Sequence, residues 1–211
     1  MNQEKVWNTI AKDWSKFRVK TIEDVVKFFE NKTGNVLDLG CGSGRNFVKN
    51  EKLKFYGVDF SEEMVKFAKK HAKIKDIKVE LTKANTYNLP FDDDFFDSGI
   101  YIAALHCIPK SEDRKKSLKE LLRVLKPNSE ALISVWDYNQ KKFNNKEKES
   151  FIPWKHNGKE YFRYYYLYNQ EEIINLLKKV GFEIIKTRDK NNSNGFYSKK
   201  NIIIIVKKPK N

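Results

Sequence analysis

Apolar segments with strand character alternate with helical segments along most of the chain, and the alternation then stops. Strands are predicted at NVLDL (35–39), KFYGVD (54–59), IKVEL (77–81), FDSGIYIA (96–103) and EALISV (130–135). Helices are predicted near 45–49, over 61–72 behind an N-capping Ser61, over 111–125 and over 170–180. Such a succession lays strands parallel in one sheet and puts helices on both of its faces. The last two strand segments, GFEII (181–185) and NIIIIV (201–206), are joined by a loop containing NNSNG and by no helix, so they pair antiparallel. Ile202–Val206 is apolar throughout, as a strand covered on both faces requires. The expected class is α/β, a doubly wound, seven-stranded, mostly parallel sheet with an antiparallel last strand.

A chain of 211 residues fits one domain, with a helical segment over 1–30 and an insertion over 136–169. Val6, Ile10, Trp14 and Phe17 give the first helix its apolar stripe, and Thr21 is the expected N-cap of a second. Leu118, Leu121, Leu122 and Leu125 form a core-facing stripe, opposite Arg114, Lys115, Lys116, Lys119 and Arg123. That basic side is either a solvated face or a phosphate-facing one. The insertion opens on NQKKFNNKEKES, expected to be mobile, and continues as FIPWKHNGKEYFRYYYLY (151–168), where eight of eighteen residues are aromatic. This stretch has no clean period, so it either stacks on a nucleic acid or packs as a local unit.

The formal net charge is +14, from 42 basic and 28 acidic residues, and an excess of that size favours a polyanionic partner. Cys41 and Cys107 lack the spacing of a disulfide framework or a zinc site, so no metal is expected. The polar start MNQEKVWNTI does not read as a signal peptide, and no apolar run approaches the ~20 residues of a membrane helix. A cytoplasmic address with no membrane partner is the expectation.

Residues 36–44 read VLDLGCGSG, a strand running into a glycine turn. Arg45 stands where a dinucleotide fingerprint has its last glycine, and no GKS or GKT follows, so neither a dinucleotide nor a nucleoside triphosphate loop fits. Asp38 beside the turn would repel a pyrophosphate and hold an ammonium group. Asp59, ending the second strand, is placed to accept from ribose hydroxyls. Ammonium, ribose and no phosphate describe S-adenosylmethionine.

With VLDLGCGSG, YGVDFSEEMV, ANTYNLPF, FDSGIYIAALH and LLRVLKPNSEALISV in order, the chain resembles the class I methyltransferases, whose Rossmann-like fold has an antiparallel last strand. The resemblance implies that Gly40 and Gly42 line the methionine part of the cofactor, Asp59 the ribose and Asn85 the adenine amino group. Asn85 departs from the family's usual Asp, and Asn128 from its usual glycine after Lys-Pro. Three further stretches resemble the tRNA methyltransferases that esterify the carboxymethyl group of wobble uridine: Ser15 with Arg18, His106, and Pro153-Trp154 with Arg163, Tyr164, Tyr165 and Leu167. Cys107 replaces that family's second histidine, Tyr166 stands at another histidine, and a further Pro-Trp is absent. The resemblance implies Arg18 and His106 as catalytic residues that grip a carboxylate, and Arg163, Tyr164 and Tyr165 as RNA contacts in a flap. It also implies tRNA and a small zinc-binding activator subunit as partners. A small-molecule methyltransferase or a non-catalytic RNA-binding subunit would be the competing functions; intact Asp38, Gly40, Gly42 and Asp59 speak against the second.

Overall fold

The computed structural model describes residues 2–143, 147–188, 197 and 200–210. The NNSNG loop and residues 144–146 of the polar stretch lie outside the described residues. Helix α1 (Gln3–Phe17) is capped by the Asn2 side chain, which accepts from the Lys5 N–H. Helix α2 (Glu23–Phe29) has Ile22 at its N-cap, not Thr21. The Thr21 hydroxyl instead donates to the Arg45 carbonyl, fastening the start of α2 to the glycine turn.

Strands β1 (Gly34–Leu39), β2 (Leu53–Asp59), β3 (Val79–Lys83), β4 (Phe96–Ile102) and β5 (Leu125–Trp136) pair in parallel. Strand β3 begins two residues later than its predicted start. β9 (Asn201–Lys207) is antiparallel both to β5 and to β8 (Glu183–Thr187), completing the order β3-β2-β1-β4-β5-β9-β8. β5 accommodates Asn128 at φ +64, a left-handed conformation that asparagine tolerates better than most side chains. This accounts for an asparagine at the family's glycine position. No helix forms at 45–49: residues 42–46 make turns, with the Gly44 N–H donating to the Cys41 carbonyl and the Phe47 N–H to that of Gly44.

Strand alternation sends successive side chains into two cores. On one face, Leu37, Leu39, Tyr101, Ile133, Ile202 and Ile204 pack with Leu118 and Leu121 of α4 (Ser111–Val124) and with Ile173 and Leu177 of α5 (Gln170–Val180). On the other, Val36, Phe55, Ile100, Leu132 and Ile203 pack with Val25 and Phe29 of α2 and with Ala68 and Ala72 of α3 (Glu62–Lys75). The alternating cores explain why Ile202–Val206 carries no polar residue. Among the described residues, no helix is long and apolar enough to cross a membrane.

The aromatic insertion is a β-hairpin, β6 (Glu149–His156) against β7 (Lys159–Tyr166), outside the main sheet. Asn157 and Gly158 turn it with φ of +49° and +73°, the Asn-Gly signature of a tight hairpin turn. Two-residue alternation in β7 was obscured because both of its faces are aromatic. The polar stretch before it is anchored rather than loose at Phe143, which is 2% exposed in a short 3₁₀ turn (Lys141–Phe143).

Candidate active site

All five parallel strands end at one edge of the sheet, and the residues that bear chemistry gather there, as in other open α/β sheets. Asp38, near the end of β1, is buried and neither carboxylate oxygen has a hydrogen-bond partner. Burial, with the nearby Asp59 charge, pushes its pKa up to about 8 against a smaller pull from Arg45. A buried carboxylate without donors costs several kcal/mol in general, so this one calls for a cation from outside the chain.

Asp59 ends β2 and organises the turn: its oxygens accept from the Gly42 N–H (2.9 Å) and the Ser61 N–H (2.9 Å). Its pKa rises to about 6 through burial, held down by those backbone donors. Each oxygen keeps a lone pair for a hydroxyl. Gly40, at φ +69, has no room for a side chain, since a Cβ would meet that of Ala104 at 2.4 Å. A Cβ at Gly42 would meet nothing within 4 Å, which leaves the turn open on that side. Asn85 is exposed just beyond β3, next to Ala84, whose N–H donates to the Asp59 carbonyl. The unpartnered acid, the donor-braced acid and the bare turn fit a ligand with an ammonium group and vicinal hydroxyls.

Helix α1 lies across this edge, pinned where the Asn8 side chain accepts from the Ser61 hydroxyl (2.7 Å). At its end, Arg18 sits over the rings of Phe17 (4.9 Å) and Trp14 (5.2 Å), and its Nε is buried without a partner. Burial and the charges of Arg45 and Arg163 lower its pKa. The acids nearest to Arg18 in sequence are engaged elsewhere: Asp24 pairs with Arg188 and Glu23 with Lys27. Ser15 turns back to donate to the Lys12 carbonyl.

Arg163 on β7 is 5% exposed and enclosed by Trp7, Trp14, Trp154 and Tyr165, at 5.0–5.9 Å from each ring centre. It donates to the Tyr165 hydroxyl (2.9 Å). Tyr165 in turn stacks on Trp136 at 4.2 Å and 3°. His106, in a short turn after β4, is fully buried with its ring 5.4 Å from those of Tyr165 and Trp136. Its Nδ1 accepts from the Trp136 N–H (3.1 Å), which leaves the proton of the neutral ring on Nε2, and Nε2 has no partner. Burial, with the charge of Lys142, lowers the pKa of His106 to about 3, so the ring is a neutral donor.

The structure thus brings Arg18, Arg163, Tyr165 and His106 together beside the ends of the parallel strands and separates Tyr164 from them. Tyr164, adjacent to Tyr165 on a strand, faces the opposite side and accepts from Arg114 (3.3 Å). Burial of Arg163 (5% exposed), Tyr164 (3%) and Tyr165 (2%) leaves none of them on the outer surface of the hairpin. Sequence reasoning passed over Arg45, whose guanidinium lies 5.7 Å from the Tyr197 ring centre and within reach of Arg18 and Asp38. It also passed over Trp136, which sets the His106 tautomer. The first was visible as the residue that broke the dinucleotide fingerprint; the second carries no sequence signal.

A methyltransferase-domain family profile matches residues 37–133. Among solved structures, an S-adenosylmethionine-dependent methyltransferase from Methanosarcina mazei superposes with a TM-score of 0.76 at 22% identity, covering 90% of this chain and 100% of that one. Residues 37–133 are thus matched as a methyltransferase domain, and the chain has the fold of S-adenosylmethionine-dependent methyltransferases, which implies S-adenosylmethionine as the cofactor. Within that class it is similar to an Arabidopsis thaliana protein named tRNA (carboxymethyluridine(34)-5-O)-methyltransferase, with 36% identity over 138 residues, 64% of this chain and 33% of the relative. The chain therefore spans about a third of that relative's length. It also shares the fold of a chain from the complex between the Haloferax volcanii Trm112 methyltransferase activator and a methyltransferase, at a TM-score of 0.68 and 16% identity, covering 99% and 97% of the two chains.

Proposed function

We propose that the chain methylates tRNA, converting the carboxylate of 5-carboxymethyluridine at the wobble position to its methyl ester. The observation that carries this reading is a set of anion-binding groups left without anions. Arg18, Arg45 and Arg163 form no ion pair among the described residues, and beside them His106 offers a buried Nε2–H with no acceptor.

S-adenosylmethionine supplies an electrophilic methyl group, and Asp38, Gly40, Gly42, Asp59 and Asn85 are the residues that would hold it. A carboxylate is ionised at neutral pH, so the chain has no proton to remove from the acceptor. Its task is alignment, which can contribute several kcal/mol to a barrier. Arg18 grips the acceptor carboxylate with two parallel N–H donors, and the His106 Nε2–H fixes its rotation. Arg163 serves this pair from behind, by setting the Tyr165 hydroxyl and the aromatic wall against which His106 rests. A partner resembling the Trm112 activator and a cytoplasmic site of action accompany the reading, the first supported by the shared fold of the Haloferax volcanii complex.

The test is label transfer from methyl-labelled S-adenosylmethionine to tRNA carrying 5-carboxymethyluridine, with and without a zinc-binding activator, followed by mild alkali. Label released by alkali is the expected result. Alkali-stable label would move the target to a ring or ribose atom, and absence of label with cofactor bound would point to a small-molecule acceptor.

A further inference from the structure

Burial of the aromatic hairpin residues leaves open where RNA would meet the protein, and the exposed side of α1 answers it. Phe17 is the last residue of the helix and is 61% exposed, although it belongs to the aromatic group around the arginines. Its ring centre lies 5.6 Å from that of Trp154 and 6.3 Å from that of Trp14, and Arg18 covers one part of it at 4.9 Å. An exposed ring backed by two tryptophans and a guanidinium is a rigid platform whose burial would be favourable.

Lys16, next to Phe17 in sequence, and Lys12, one turn before Lys16, project from α1 into a groove of about 440 Å³ that His156 and Asn157 at the hairpin tip also line. Both lysines are exposed and form no ion pair among the described residues. Asp13 and Glu63 also line the groove, but both are engaged: Asp13 binds His156 Nδ1 at 2.6 Å, and Glu63 binds Lys66, which also pairs with Glu62, at 2.7 Å. Lys12 and Lys16 are left as the groove's unengaged cations. A platform for a base and cationic positions along the same helix, ending at Arg18, match a single-stranded RNA backbone with one unstacked base.

We infer that the C-terminal half of α1 is the RNA-docking surface, with Phe17, at the exposed end of the apolar stripe, stacking a base beside the target nucleotide and Lys12 and Lys16, around the helix in the groove, receiving its phosphates. The inference rests on the reading that tRNA is the substrate, and it names the surface that reading requires. The unengaged lysines beside an exposed aromatic ring, on a chain with a net charge of +14, choose RNA over a protein partner.

The experiment measures binding of a 17-nucleotide anticodon stem-loop by the full chain, by fluorescence anisotropy over a salt series. The variants are Phe17→Ala, Phe17→Tyr, Lys12→Ala/Lys16→Ala, and Lys115→Ala/Lys116→Ala on α4 as a control. Phe17→Ala should weaken binding about 10-fold and Phe17→Tyr should restore it, since stacking is sequence-tolerant. Lys12→Ala/Lys16→Ala should flatten the log–log salt slope by about 1.4, two phosphates at about 0.7 each. S-adenosylmethionine binding, measured by calorimetry on the same samples, should be unchanged in all of them. Equal RNA affinity for wild type, Phe17→Ala and Lys12→Ala/Lys16→Ala overturns the inference. So does a loss confined to binding of an activator subunit, which would assign the face to a protein. Wild-type ester formation on tRNA alongside either result would leave the substrate reading standing and sink only the surface.

Discussion

At the residue scale, the site is a set of polar groups whose partners are missing. Asp38 is the extreme case, a carboxyl with a pKa near 8 and two unpartnered oxygens. Between the unfolded value of 3.8 and about 8 the folded chain holds a proton there that the unfolded chain releases. Its contribution to stability is full below pH 3.8 and is lost as pH rises to 8, so the ligand-free protein weakens toward alkaline pH. If Asp38 holds the cofactor, as proposed, binding replaces that proton with an ammonium group. Calorimetry at pH 7 in buffers of differing ionisation enthalpy should show close to one proton released per S-adenosylmethionine bound. Asp38→Asn should abolish that release, weaken cofactor binding at least about 100-fold, and raise the ligand-free Tm at pH 8.5 relative to wild type, by roughly 5 °C for each ~2 kcal/mol of charge burial relieved. No proton release would mean that Asp38 is already ionised and that the ammonium is held elsewhere.

His106 carries the opposite shift and a different consequence. Since burial keeps its pKa near 3, it stays neutral throughout the physiological range. With cofactor saturating, kcat for methyl transfer should show no inflection between pH 5.5 and 7.5. His106→Phe preserves the ring stack but removes the Nε2–H, and should lower kcat about 10- to 100-fold, within the range of lost oriented donors. An inflection near pH 6.5 that disappears in His106→Phe would show instead that the ring titrates in the complex.

At the scale of elements, legibility followed pattern length. The five parallel strands and helices α3, α4 and α5 each carry a clear apolar pattern, so their places could be read directly, although β5 begins at Leu125, five residues before its expected start, and β3 two residues after. The glycine loop and both acids were equally plain, because strand ends in such sheets are where ligands meet backbone. The helix expected at 45–49 failed because Thr21 claims the Arg45 carbonyl and Phe47 turns into the core beneath Gly44. The hairpin was hidden by side chains that are aromatic on both faces, although HNGK carried its turn signal. Arg163 illustrates the remaining gap: no local pattern reveals that three tryptophans from α1 and β6 close around it. The hairpin's role as a wall can be tested at its turn. Gly158 sits at φ +73 with open space around it, so Gly158→Val adds strain without a clash, costing about 1–2 kcal/mol. The expected result is faster hydrogen exchange across 149–166, little change in exchange of the main sheet, and reduced kcat with cofactor affinity retained. Loss of cofactor binding would show that the hairpin supports the glycine turn as well.

At the scale of the whole molecule, the two ligands call on different physics. On the proposed reading the cofactor meets a buried edge where two acids and backbone groups determine affinity, and bulk ions screen such interactions weakly. A tRNA would meet the outer surface of a chain with a net charge of +14, where each neutralised phosphate releases counterions. Salt should therefore separate them. If three to five phosphates are contacted, raising salt from 50 to 200 mM should weaken tRNA binding by roughly 20- to 100-fold, while S-adenosylmethionine affinity changes less than about twofold. The excess is mostly lysine, since only six of the 42 basic residues are arginine, and three of those six converge on the site. Lysines spread over the surface attract a polyanion without fixing its register, whereas in the proposed reading the buried Arg163 and the half-buried Arg18 and Arg45 select what enters. A duplex RNA of equal length should consequently show a similar salt slope but no competition with 5-carboxymethyluridine as a free nucleoside. A tRNA affinity insensitive to salt would mean that the surface charge has another purpose, and that recognition resides entirely in the pocket.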